Sequence, residues 1–139
     1  MFQLVPTVKL SCSITVVLEV VSILVRKRND GRLPRDLYDQ AIADFRAEVI
    51  NDFDFAITAV DNSLLLASID LIETRHLNAT DAVILRSALE LQAAVGPTDQ
   101  VVLVTSDKRL ARAAPLERLR VFDPEVDSAD QLRQMLQRV

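Results

Sequence analysis

One cysteine, two glycines and one histidine among 139 residues exclude several chemistries before any motif is read. Cys12 alone cannot close an intrachain disulfide, which fits a reducing compartment. Two glycines cannot build a glycine-rich phosphate loop. His76 has no second histidine and no neighbouring cysteine, so a zinc site lacks ligands. Nothing beside it supports a Ser/His/Asp nucleophile either. Long apolar runs are also missing: the best candidate, Ile14 to Val25, carries Glu19 and falls short of the roughly 18–20 residues that cross a bilayer. Pro6 and Lys9 interrupt what a signal peptide would need at its start. The expectation is a soluble, cytoplasmic protein.

Half of the residues are hydrophobic and 26 % are charged, the balance of an ordered globular chain. The length predicts a single domain over residues 1–139. A net charge of −4 argues against a protein that coats nucleic acid, which would be basic. It leaves room for a metal-dependent nuclease, where part of the acidity is the metal site.

Strands and helices alternate in the pattern. Val8 to Ile14 reads as a short strand. Ile14 to Val25 is rich in valine but too long for a strand without a turn signal, and Val16, Val17, Val20, Ile23 and Leu24 fit a helical face. Thr15 is positioned to cap that helix, Arg26-Lys27-Arg28 suit its carboxyl end and Gly31 can stop it. Pro34 opens a second helix, Phe55 to Val60 is a strand, and Asp61 and Asn62 can cap a helix from Ser63 to about His76. Asn78 caps the next helix, which Gly96-Pro97 ends. Val101 to Thr105 has the continuous apolar character of a strand buried on both faces. A short helix (Asp107 to Ala114), a strand (Leu119 to Phe122) and a terminal helix (Ala129 to Gln137) follow. This order predicts a three-layer α/β/α fold with a parallel sheet, whose sites lie beyond the carboxyl ends of its strands.

Three acids stand out. Glu19 interrupts an apolar helix, Asp81 opens another, and Asp107 closes a strand. A carboxylate beside apolar surface is costly to desolvate unless donors or a cation compensate, and a hard divalent cation can serve all three. Each also has a plainer reading. Asp107 can cap the helix after it, Asp81 can be the acidic half of a capping pair with Asn78, and Glu19 can face solvent. Arg26, Lys27, Arg28, Lys108 and Arg109 could meet a phosphate backbone or simply be solvated at helix ends.

The ordered set resembles the PIN domain, most closely the VapC-like ribonuclease toxins. Leu10-Ser-Cys-Ser-Ile-Thr-Val-Val-Leu-Glu-Val-Val-Ser-Ile-Leu looks like that family's strand and the helix with its glutamate. Leu77-Asn-Ala-Thr-Asp-Ala-Val-Ile-Leu-Arg-Ser-Ala resembles the helix with the third acid. Val102-Leu-Val-Thr-Ser-Asp-Lys-Arg-Leu resembles the turn with the last, and Val121-Phe-Asp-Pro also agrees. The family opens on a strand ending in Asp-Thr-Ser or Asp-Ala-Ser, which this chain does not contain. The resemblance therefore implies a PIN domain without its first strand and most of its first helix, either because the start lies upstream or because the form is shortened. Phe2, Leu4 and Val5 would then pack against the body or a second copy. The resemblance further implies a Mg²⁺- or Mn²⁺-dependent endoribonuclease, with Glu19, Asp81 and Asp107 holding the metal and Thr105 or Ser106 orienting Asp107. It also implies RNA as substrate, an antitoxin protein and a homodimer as partners. A catalytically inactive PIN-like binding module is the alternative.

Overall fold

A computed structural model describes residues 5–137. Phe2 and Leu4, expected to pack inward, lie outside these residues. The chain divides into two compact units, with the boundary between Ala59 and Val60.

The amino-terminal unit holds β1 (Ser11–Ser13), α1 (Ile14–Asn29), α2 (Arg35–Phe45) and β2 (Ala56–Thr58), with a π-helical turn over Arg46–Ile50. β1 and β2 run parallel, with Ser11 opposite Ala56 and Ser13 opposite Thr58. The strand expected from Val8 begins later. Pro6 starts a 3₁₀ turn in which Lys9 and Leu10 donate back to the carbonyls of Pro6 and Thr7. The helix expected over Ile14 to Val25 is present and longer, ending on Arg26-Lys27-Arg28 as its basic last turn. Its cap position is Ser13 rather than Thr15. Neither hydroxyl caps the backbone, because the two bond to each other. Arg28 stacks over the Tyr38 ring, 4.5 Å from its centroid, tying α1 to α2.

The carboxyl-terminal unit comprises α3 (Asn62–Ala67), α4 (Ile69–Arg75), α5 (Ala79–Val95), β3 (Val102–Val104), α6 (Lys108–Leu116), β4 (Arg120–Phe122) and α7 (Ala129–Gln137). The single helix expected from Ser63 to His76 is two. Ser68 Oγ donates to the Leu64 carbonyl, and this local back-bonding bends the ladder at the junction. His76 ends α4 in the left-handed conformation (φ 56°). Asn78 caps α5 as expected, its Oδ1 accepting from Asp81 N at 2.8 Å, and Gly96 ends the helix at φ 82°. β3 and β4 are parallel, Val102 opposite Arg120 and Val104 opposite Phe122. The prediction that β3 is buried on both faces fails, since Val104 is 45 % exposed. The ladder has only two strands, so one edge of β3 has no strand against it among the described residues.

The core of this unit is Leu71, Leu77, Ala82, Leu85, Leu110, Ala113, Ala114 and Leu119. It pins α5 and α6 by their inner faces. Those helices carry Asp81 and Asp107 at their amino ends, so burial of leucine and alanine fixes where the acids stand. The mixed α/β class with parallel strands is thus as expected.

Candidate metal centre

Asp81 sits in the first turn of α5 and is only 9 % exposed. Burial pushes its carboxyl above the ordinary range, and the negative charge of Asp107 pushes it further. Arg109 and a hydrogen bond with Asn78 pull it part of the way back. The two acids, 26 positions apart, are thereby brought into one electrostatic environment within the same unit.

Asp107 follows β3 and is exposed. Its Oδ1 accepts from Arg109 N and Leu110 N, both at 2.9 Å, so it caps α6. The cap and the candidate ligand are the same residue. One oxygen secures the helix, and Oδ2 has no hydrogen bond among the described residues.

Neither hydroxyl expected to orient the Asp107 carboxylate does so. Thr105 Oγ1 accepts from the Asp107 backbone N at 3.1 Å, and Ser106 Oγ donates to Asp123 Oδ1 at 2.8 Å. Main-chain geometry at the turn aims Ser106 away from its neighbour. Glu19 lies on α1 in the other unit with its side chain exposed. Among the described residues no three His, Cys, Asp or Glu side chains form a group able to hold a metal ion. Within the carboxyl-terminal unit, Asp81 feels the charge of Asp107.

Asp123 is the residue that sequence reasoning passed over. It follows β4 as Asp107 follows β3, and it is 9 % exposed. Hydrogen bonds from Glu125 N, the Lys108 ammonium and the Ser106 hydroxyl hold its carboxyl below the usual range. Its place just beyond the last strand, in Val-Phe-Asp-Pro, was the available signal.

A hard divalent cation takes carboxylate oxygen and favours sites where negative charge is concentrated. Asp81 and Asp107 fit that requirement. Asp81 is withdrawn from water and feels the charge of Asp107, and Lys108 is engaged by Asp123.

The sign of the Asp81 effect gives a test. Its folded pKa is raised, so the folded state holds that proton more tightly than the unfolded chain does. Stability from this group is complete below the unfolded value near 3.8 and is lost as pH rises through the raised folded value. Asp81→Asn should therefore melt higher than wild type at pH 7 without metal. The gain should stay under about 1 kcal/mol, because the pair is partly screened by solvent. It should fade as pH approaches 4, and thermal denaturation across pH 4–8 reads it.

Beyond the carboxyl end of a parallel ladder is where α/β proteins place their ligands, and paired carboxylates there suit metal-assisted hydrolysis. The comparison with family models agrees. The PIN domain model matches residues 6–116, most of the chain. The chain belongs to the PIN domain family. PIN domains are nucleases that in general depend on a divalent metal, so its chemistry is of nuclease type and nucleic acid is its partner. Neither the curated proteins nor the solved structures contain a significant match. No helix among the described residues is long and apolar enough to cross a membrane.

Proposed function

We propose that this chain is a metal-dependent endoribonuclease of the VapC-like toxin type, working as one PIN domain in the cytoplasm. Glu19, Asp81 and Asp107 would hold Mg²⁺ or Mn²⁺. The observation that carries the reading is the buried Asp81 under the negative charge of Asp107 in a chain of nuclease family. When bound, such an ion lowers the pKa of a water and stabilises charge on the scissile phosphate. The chain's own part is to hold two acids at the amino ends of α5 and α6, where Asp81 feels the charge of Asp107, on helices fixed by the leucine–alanine core. RNA is the proposed substrate, and a second copy of the chain and an antitoxin are the proposed protein partners. The exposed apolar side chains Leu65, Leu66, Ile69 and Ile72 on α3 and α4 support a protein partner.

One observation favours the second reading, a module that binds without cutting. Asp107 already has a structural task as a helix cap, with Oδ1 taken by the backbone of Arg109 and Leu110. Fewer free carboxylate oxygens hold a magnesium ion less tightly. The 139 residues should therefore cleave single-stranded RNA slowly in millimolar Mn²⁺, and EDTA should stop the reaction. Adding an amino-terminal strand ending in Asp-Thr-Ser should raise the rate. If that longer chain binds a protein partner yet leaves every RNA intact with Mn²⁺ present, the nuclease reading fails and the binding module stands.

A further inference from the structure

Asp107 lies in an extended conformation (φ −70°, ψ 120°) between two residues that reach the same carboxylate. Ser106 Oγ donates to Asp123 Oδ1 at 2.8 Å, and Lys108 Nζ donates to Asp123 Oδ2 at 3.0 Å. Successive side chains in extended backbone point to opposite sides. When the residues before and after Asp107 are drawn to one side, Asp107 is turned to the other. Asp123 can take this load because it is itself anchored. Glu125 N donates to its Oδ1 at 3.0 Å, and its own N donates to Asp127 Oδ2 at 2.8 Å. β4 brings it there, extending its pairing with β3 through Thr105 N to the Phe122 carbonyl at 3.0 Å.

We propose that Asp123 is a positioning residue: by gripping Ser106 and Lys108 it aims the Asp107 carboxylate at Asp81 and keeps the Lys108 ammonium from neutralising that pair. The inference rests on the metal-site reading above and adds a residue beyond the stretch matched by the family model, which ends at 116. The electrostatics agree: the charges that act on Asp81 are those of Asp107 and Arg109, while Lys108 is bound to Asp123.

The test uses the whole chain and two readouts. Mn²⁺ affinity is measured by electron paramagnetic resonance at a temperature where circular dichroism shows every variant folded. Amide exchange at Arg109 and Leu110 reports the Asp107 cap without metal. Asp123→Asn keeps the shape and removes the charge. It should weaken Mn²⁺ binding at least about tenfold, as loss of a ligand-orienting hydrogen bond does. It should also speed exchange at those two amides by about tenfold relative to the α5 core. A residue with only a structural role would lower the melting temperature and leave the affinity of the folded protein unchanged, and that result overturns the proposal. If Asp123→Asn does not fold, Ser106→Ala and Lys108→Met each remove one grip, and at least one must reproduce both effects. Asp81→Asn and Asp107→Asn are the controls. If they weaken Mn²⁺ binding and Asp123→Asn does not, the positioning role alone falls. If they too leave it unchanged, the metal-site reading falls and takes this inference with it.

Discussion

Millimolar Mn²⁺ should raise the melting temperature of the chain, and Asp107→Asn should remove most of that rise. A cation that binds only the folded state stabilises it by RT ln(1 + [L]/Kd), about 2.7 kcal/mol at a hundredfold excess over Kd. The effect is expected because burial and the charge of Asp107 both oppose the ionised form of Asp81, a penalty that a divalent ion relieves. The substitution removes one of the two opposing charges. The asparagine side chain would still offer an oxygen to cap α6, so the metal-free protein should remain folded, and the comparison isolates the metal term. Differential scanning fluorimetry with and without Mn²⁺ reads both halves. A melting curve that ignores the metal in wild type would sink the metal centre.

Leu85→Ala should cost about 2–5 kcal/mol of folding stability, the range for a buried leucine that leaves a cavity. Leu85 is fully buried and packs in the cluster that joins α5 to α6 and to the chain before β4. It lies four residues, about one turn, beyond Asp81 on the same helix, so the loss falls in the core that holds α5 in place. Leu18 on α1 is 67 % exposed, and Leu18→Ala should change stability by no more than about 0.5 kcal/mol. Urea denaturation of both variants makes the comparison. If the two losses are alike, the core has been placed wrongly.

Much of the local structure was legible because its causes are local. The length of the apolar run decided for α1 over a strand, and the basic last turn marked its end. Asn78 and Gly96 bound α5 through a cap and a left-handed stop, both read from single residues. The break at Ser68 was missed although its cause lies four residues away, because a serine back-bond competes with a helix pattern that looks continuous. The late start of β1 follows similarly from a turn at Pro6 that alternation in the sequence masked.

For the site, sequence alone determined which acids open helices and close strands, since caps and hydrophobic periods extend over a few residues. It could place Asp107 at the mouth of α6 and Asp81 in the first turn of α5. Only the tertiary structure decided what those acids face. Asp81 meets the charge of Asp107 across 26 positions because leucine burial brings two helices side by side. Ser106 turns to Asp123, 17 residues on, because β4 pairs with β3 and carries that carboxylate beside the turn. A hydroxyl next to an acid in sequence looks like its partner, yet in extended backbone neighbouring side chains point apart, and the partner comes from another strand.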